Sequence, residues 1–279
     1  MTEPKAWNNS VSSLLNNVYR CADKSSWYSD VVSAYDRTRP RYPQELLAQV
    51  RQITQLQPKQ KVVEIGAGVG IATLELAQWG VELVAIEPSL AACELGRQKC
   101  ANHPNVEFVH STFENWDAPE SSFAAIVAST SFHWVAPTIR TKKSAELLQN
   151  DGYLILLWNT PPQPNEAIIQ NLNSVYQTYS PNLALQESVP RHKANLAVFG
   201  SEMIDSGYFQ DLVTQQMICQ VNYTVEEYLT LLTTLSPYIQ LETSQREILL
   251  TELGKVLKLN YGDRLNLSYL SMFQIARRG

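Results

Sequence analysis

The sequence predicts an α/β protein with a seven-stranded, mostly parallel sheet, helices on both faces, and a helical cap inserted between strand five and the last strand. Strand-like and helix-like segments alternate over residues 61–158, which is typical of parallel strands joined by crossover helices. An apolar run that opens this region ends in a glycine-rich turn. The predicted strands are residues 61–65, 82–86, 106–110, 123–128, 152–158, 209–221 and 265–276.

The chain divides into four predicted parts. Residues 1–30 are polar and form an N-terminal arm with a short helix over 11–20, and residues 31–160 form the core. Three prolines after Trp158 end the alternation, so we expect a cap over 161–206, and residues 207–279 complete the sheet and add cap helices. The predicted helices are residues 45–55, 71–79, 90–101, 139–149, 166–179, 195–206, 224–235 and 241–259, with 181–194 irregular.

Composition narrows the function classes. The net charge of −5 and the isoelectric point near 5.5 argue against a nucleic-acid surface, so small-molecule or protein partners fit better. No apolar run is long enough for a membrane span, and the four cysteines show no metal-ligand spacing. We therefore expect a cytoplasmic protein with reduced thiols and no metal, as a monomer or homodimer.

The glycine-rich turn predicts a cofactor site. Gly66, Gly68 and Gly70 follow the apolar run at every second position, and glycine permits positive φ and close approach of a ligand to the backbone. A dinucleotide fingerprint needs its third glycine at the sixth position, which is Ile71 here. A phosphate loop is excluded too, because no Gly-Lys-Ser/Thr follows. The spacing therefore disfavours both common nucleotide loops.

An acidic residue ends the second predicted strand. Glu87 lies about twenty residues beyond the first glycine, where a carboxylate accepts hydrogen bonds from both ribose hydroxyls of a nucleoside. NAD enzymes use the same arrangement, so Glu87 indicates nucleoside binding without choosing the cofactor.

Three motifs together carry a resemblance to a known family. Glu64 to Gly70 reads Glu-x-Gly-x-Gly-x-Gly, Phe-His-Trp stands at 132–134, and 35–43 reads Tyr-Asp-Arg-Thr-Arg-Pro-Arg-Tyr-Pro. They resemble segments of class I S-adenosylmethionine-dependent methyltransferases of the type 11 and type 25 subgroups. The resemblance covers residues 30–160 and implies a Rossmann-like sheet and S-adenosylmethionine as the cofactor.

The resemblance also implies roles for individual residues. Arg39 would pair with the methionyl carboxylate, and His133 would serve as a base or orient the acceptor. The cofactor-binding residues implied are Tyr35, Arg39, Glu64, Gly66, Ala67, Gly68, Gly70, Glu87, Pro88, Thr112, Phe113, Ser129, His133 and Trp134. Trp158 and Asn159, at the end of strand five, would face the acceptor.

The chain departs from the family pattern at two positions. Thr112 stands where the family has an aspartate that bonds adenine, and Ala124 replaces an aspartate after Phe123. The expected function is methyl transfer to a small molecule by direct in-line displacement. The alternatives are an NAD-dependent oxidoreductase and a non-catalytic S-adenosylmethionine-binding interaction module. The sequence does not reveal the acceptor.

Overall fold

A computed structural model describes residues 31–181, 183 and 188–279, so the predicted arm and the helix over 11–20 lie outside the described residues. The strands are β1 Lys61–Ile65, β2 Glu82–Glu87, β3 Val106–His110, β4 Phe123–Ser129, β5 Leu148–Asn159, β6 Phe209–Thr224 and β7 Arg264–Arg278. They form one sheet in the order β3-β2-β1-β4-β5-β7-β6. Strands β1 to β5 pair in parallel and β7 is antiparallel to both of its neighbours, which confirms the predicted seven-stranded sheet.

The helices are α1 Val32–Thr38, α2 Gln44–Thr54, α3 Ile71–Ala77, α4 Leu90–Lys99, α5 Pro137–Leu147, α6 Glu166–Tyr179, α7 Val189–Asp205, α8 Val225–Thr233, α9 Ser236–Ile239 and α10 Thr243–Tyr261, and a short 3₁₀ turn spans Phe132–Trp134. The described residues form ten α-helices, two more than predicted there, because α1 and α9 were not predicted; the other eight agree in type and differ in their bounds.

Two predicted boundaries are wrong. Strand β5 begins at Leu148, because its first residue already pairs with Phe123 of β4, and α5 therefore ends at Leu147. Helix α7 begins at Val189 within a stretch predicted to be irregular. Its Pro190 is tolerated in the first turn, where a backbone N–H would have no helical partner.

The sheet is covered on both faces. One apolar core joins α5 and α7 to the sheet through Phe132, Trp158 and Phe199, and a second joins α2 and α3 to the opposite face. Helix α7 lies against β6 and β7, although its residues fall within the predicted cap. The parts that form a separate apolar core are α6, α8 and α10.

That separate core, which we call the cap, stands beyond the carboxyl end of β5. Asn159 pairs with Ser271, and the β6–β7 ladder then continues to Thr224 and Arg264. This two-stranded extension carries the cap, and α8 reaches back to contact α1. A capping box begins α8, since Thr224 and Glu227 each accept a hydrogen bond from the other's backbone N–H. The cap therefore borders the edge where ligands bind in parallel sheets.

Candidate functional site

The glycine-rich turn joins β1 to α3 at the carboxyl edge of the sheet. Gly66, Gly68 and Gly70 have φ of 64°, 56° and 81°, and residues that carry a side chain rarely adopt such positive values. A Cβ on Gly66 would lie 2.7 Å from the Cβ of Ser131, and the Ser131 hydroxyl donates to the Ile65 carbonyl. The loop thus rests directly on the turn after β4, and residues larger than glycine do not fit at its first position.

Glu87 links the end of β2 to this loop. One carboxylate oxygen accepts the Gly68 N–H at 2.8 Å and the other accepts the Ser89 N–H at 2.7 Å. Each oxygen keeps a second lone pair, so the carboxylate has room for two further donors. Burial raises its pKa to about 7 although the two N–H groups oppose the shift. A nearby pair of hydroxyl donors would stabilise the charged form.

Glu64 is fully buried beneath the loop. One of its carboxylate oxygens accepts the Thr73 hydroxyl at 2.6 Å, and the other has no hydrogen-bond partner in the described part of the chain. Burial raises the pKa of Glu64 to about 7. The Ser129 hydroxyl is close enough to oppose the shift, although it lies outside hydrogen-bond range. Glu64 therefore offers an unused acceptor in a low-dielectric site.

Unpartnered polar atoms cluster at this edge. Within the described ranges, six buried side-chain nitrogen or oxygen atoms lack a hydrogen-bond partner: Arg39 Nε, Glu64 Oε1, Ser129 Oγ, Ser144 Oγ, Asn159 Oδ1 and Ser271 Oγ. Glu64, Ser129 and Asn159 belong to β1, β4 and β5, which are neighbours in the sheet, and Arg39 follows α1 beside them. Buried polar groups normally have partners. Their concentration here fits a site for a polar ligand.

Arg39 lies in a segment that is anchored to the cap. Its guanidinium stacks 4.6 Å above the Tyr35 ring and donates through Nη2 to the Thr234 carbonyl at the end of α8. The Tyr223 hydroxyl donates to the Thr38 carbonyl one residue earlier. Arg39 therefore faces the site from a position that both the cap and β6 hold, with Nε available to an anion.

The same segment is anchored to the sheet through three side chains. The Tyr42 hydroxyl bonds the Thr130 hydroxyl at 2.9 Å, and Thr130 in turn accepts the Asn159 N–H at 3.1 Å. The Asn159 amide donates to the carbonyls of Pro40 and Arg41 at 3.1 and 3.3 Å. The amide nitrogen of Asn159 thus holds the backbone and its oxygen remains available, so its predicted acceptor contact stays a prediction.

The Trp158 side chain belongs to the core, and its predicted acceptor contact stays a prediction. Its side chain is 2 % exposed, its indole donates to Gln274 Oε1 at 3.0 Å, and its ring packs 4.9 Å from Phe199. His133 is half-buried, with its ring 5.9 Å from Trp158 and 5.2 Å from Trp134. Trp158 therefore supports the His133 ring from below, and His133 and Trp134 remain at the site edge.

The two residues predicted to contact adenine, Thr112 and Phe113, lie in the loop after β3. The Thr112 hydroxyl accepts the Asn115 N–H at 3.2 Å and retains its own hydrogen for donation. The Phe113 ring is buried in the core beneath Lys143, so only its backbone can reach a ligand. The Pro88 carbonyl accepts a hydrogen bond from the His110 ring at 3.0 Å, which ties the turn after β2 to the end of β3.

A buried ion pair that no sequence pattern predicted supports the Phe132–Trp134 turn. Arg140 of α5 is 1 % exposed and forms two hydrogen bonds with the carboxylate of Glu202 on α7. Its remaining nitrogen lies 3.4 Å from the Phe132 carbonyl. Arginine on a polar-looking helix gives no sequence signal of burial, so only tertiary packing reveals this support.

Comparisons with known proteins agree with this geometry. Residues 62–152 match the family profile of the type 25 group described as "Methyltransferase domain". An uncharacterised methyltransferase of Mycobacterium tuberculosis is 31% identical over 140 residues, which cover 50% of this chain and 54% of the relative. Demethylmenaquinone methyltransferase of Clavibacter sepedonicus is 28% identical over 50% of this chain and 60% of its own length. The rRNA adenine N-6-methyltransferase of Saccharopolyspora erythraea is 30% identical over 38% of this chain and 32% of its own.

A solved structure supports the fold over a longer stretch. A candidate type II methyltransferase from Anaeromyxobacter dehalogenans superposes with a TM-score of 0.61 at 17% identity, covering 86% of this chain and 97% of the other. In contrast, the chain spans about half the length of the leading curated relatives that it matches.

The sheet order, the glycine turn and the acid at the end of β2 are similar to those of class I S-adenosylmethionine-dependent methyltransferases. Residues 62–152 of this chain match the methyltransferase-domain family. In the part of the chain that the structure describes, no helix is long and apolar enough to cross a bilayer.

Proposed function

We propose that this protein transfers a methyl group from S-adenosylmethionine to a small-molecule acceptor by direct in-line displacement. The observation that carries the proposal is the Glu87 carboxylate, bonded to the Gly68 N–H beside a loop whose three glycines all have positive φ. Each oxygen of the Glu87 carboxylate keeps one free lone pair beside the glycine loop. Two such acceptors are what the two vicinal hydroxyls of a nucleoside require.

The proposed roles follow from the atoms that the fold leaves available. Glu87 would bind the ribose hydroxyls, and the Arg39 Nε would meet the methionyl carboxylate. Glu64 would face the cationic part of the cofactor from below the loop, with Ser129 beside it. The remaining proposed contacts are the backbone of residues 66–70, Tyr35, Pro88, Thr112, the Phe113 backbone, His133 and Trp134.

S-adenosylmethionine supplies a methyl group already activated on a sulfonium, so the protein's task is mainly alignment and exclusion of water. The anchored segment from Thr38 to Tyr42 and the cap would perform both, because they border the same edge of the sheet. We propose that His133, stacked on Trp158, orients the acceptor and accepts its proton where the acceptor is poorly ionised.

The net charge supports a small-molecule acceptor. A net charge of −5 gives no overall attraction to a phosphate backbone. Among similar proteins, one acts on demethylmenaquinone by name and another on adenine in rRNA, so names alone leave both classes open. The acidic balance favours the former class, and the acceptor's identity requires assay.

Calorimetric titration tests the cofactor assignment. S-adenosylhomocysteine should bind, and NAD should not. Glu87→Gln should weaken binding by roughly 10-fold or more, since a charged acceptor of two hydroxyls is worth about 1.5–3 kcal/mol. Glu82→Gln is the matched control, because Glu82 lies in the same strand and is exposed.

Three outcomes would count against the proposal. Binding of NAD instead of S-adenosylhomocysteine would favour an oxidoreductase. Equal affinity of the Glu82 and Glu87 variants would refute the placement of the ribose. Tight S-adenosylhomocysteine binding without turnover of any quinol, phenol or carboxylic acid acceptor would favour the non-catalytic interaction module.

A further inference from the structure

The outer edge of β6 is the most exposed regular structure in the described chain. Strand β6 stands last in the sheet order, so β7 is the strand that pairs with it in the described residues. From Leu212 to Asn222 the strand carries no charged residue and no proline. Proteins normally protect such edges with lysine, proline or a bulge, because the unpaired N–H and C=O groups attract other strands.

Protection is confined to the beginning of the strand. The β6–β7 register shifts between Gln210 and Val213, and Asp211 has a φ of 56° and pairs with Arg277 at 2.6 Å. Beyond Val213 the ladder runs without interruption to Thr224. The uncharged part of the edge is therefore also the regular part, where a further strand fits the backbone pattern.

Exposed apolar side chains surround this edge. Among the described residues, eight large hydrophobic side chains are exposed, and five of them lie between positions 204 and 218: Ile204, Tyr208, Leu212, Val213 and Ile218. Ile218, at the middle of the uncharged run, is 47% exposed. Clustered apolar exposure of this kind marks interaction surfaces more often than scattered single residues do.

We propose that β6 pairs antiparallel with β6 of a second copy of this chain, which joins the two sheets into one across a two-fold axis. A two-fold contact places the same surface on both subunits, so it requires a strand without like-charge repulsion against itself. The run from Leu212 to Asn222 meets this requirement. Its length of about 34 Å, at 3.4 Å per residue, allows a ladder with Met217 at its centre.

A second copy fits better than a charged partner, because the edge offers no charge for complementarity. Pairing would also cover Leu212 and Ile218, which lie on the sheet face that α7 shares, as the contact of Leu212 with Gly200 shows. Neither residue lies at the proposed cofactor site, so dimerisation and cofactor binding are separable.

Sedimentation velocity of the full chain tests the proposal. We expect a dimer at micromolar concentration that the double variant Leu212→Lys/Ile218→Lys converts to monomer, with S-adenosylhomocysteine affinity unchanged. Leu259→Lys is the matched control, since Leu259 is 85% exposed on α10, outside the β6 edge, and this variant should remain dimeric. A monomeric wild type at 100 μM, or a dimer that tolerates both β6 lysines, would overturn it.

Cross-linking locates the contact. In a Cys21→Ser background, Cys93 and Cys100 are buried and Cys219 is the more accessible thiol. With Met217 at the two-fold axis, the two Cys219 residues lie roughly 14 Å apart, so a bismaleimide of that span should give a covalent dimer. Adding Cys219→Ser should abolish it. A dimer in solution that does not cross-link through Cys219 would show a different interface and refute the β6 pairing.

Discussion

Replacing Glu64 by glutamine should make the stability of the ligand-free protein fall less steeply as pH rises, while weakening cofactor binding. The carboxyl of Glu64 is fully buried, and burial raises its pKa from 4.5 to about 7. Between these values the folded state binds more protons than the unfolded state, so the contribution of Glu64 to stability falls as pH rises. It is fully present below about pH 4.5 and lost above about pH 7.

The magnitude follows from the size of the shift. A difference of about 2.5 pKa units corresponds to about 3 kcal/mol between pH 5 and pH 8, which is an upper value for so buried a group. Glutamine does not titrate. The free energy of unfolding of Glu64→Gln, relative to wild type, should therefore rise by up to about 3 kcal/mol over this range, whatever constant offset its amide introduces.

Urea unfolding followed by tryptophan fluorescence, at pH 5, 6, 7 and 8 without cofactor, measures this difference. Glu82→Gln, on the exposed end of β2, should show no comparable pH dependence. In parallel, Glu64→Gln should bind S-adenosylhomocysteine roughly 10-fold more weakly, equivalent to about 1.4 kcal/mol. A stability difference that stays constant from pH 5 to pH 8 would refute the burial of an ionisable group at this position.

Three further substitutions test the supports of the site. Gly66→Ala should lower the affinity for S-adenosylhomocysteine at least 10-fold, because its Cβ meets the turn after β4. Gly207→Ala is the control for the same titration: Gly207 also has a positive φ but open space around it, so this variant should bind normally. Arg140→Leu should lower the free energy of unfolding, measured in urea, by about 3 kcal/mol, because it leaves Glu202 unpaired. The double variant Arg140→Leu/Glu202→Leu should recover most of this loss, and failure to do so would contradict the ion pair as its cause. Tyr42→Phe should lower the free energy of unfolding by about 1 kcal/mol and raise the KM for the cofactor, with kcat little changed. An unaltered KM would show that the Tyr42 hydroxyl does not position the Arg39 segment.

Much of the architecture followed from local patterns. Short apolar runs separated by amphipathic segments predicted the parallel strands, and β4, with six buried residues, shows why: a parallel strand covered on both faces needs a continuous apolar sequence. The antiparallel strand β6 does not follow this rule, because most of its residues are exposed. Boundaries were less predictable where the tertiary structure extends an element. Leu148 joins β5 because it lies opposite Phe123, and residues 189–194 extend α7 by more than a turn before its buried residues Phe199, Gly200 and Met203.

The candidate site shows the same division. Glu87 and the three glycines could be placed from spacing alone, since each must occupy one turn at a strand end. The burial of Trp158 could not be predicted, because alternate residues of a strand face opposite sides of the sheet, and the sequence does not state what packs on each side. The amide of Asn159, the next residue, binds backbone carbonyls that are distant in the chain.

The sequence by itself thus determined the fold class, the glycine turn and the acid that we propose bind the methyl donor, because these features depend on neighbours within a few residues. Only the tertiary structure decided how residues 38–42 bridge the cap and the sheet, and which polar atoms remain without partners. Those depend on contacts between segments up to 228 residues apart, such as Tyr269 with the Arg41 carbonyl. The same physical reason applies to the β6 edge, since its exposure follows from its last place in the sheet.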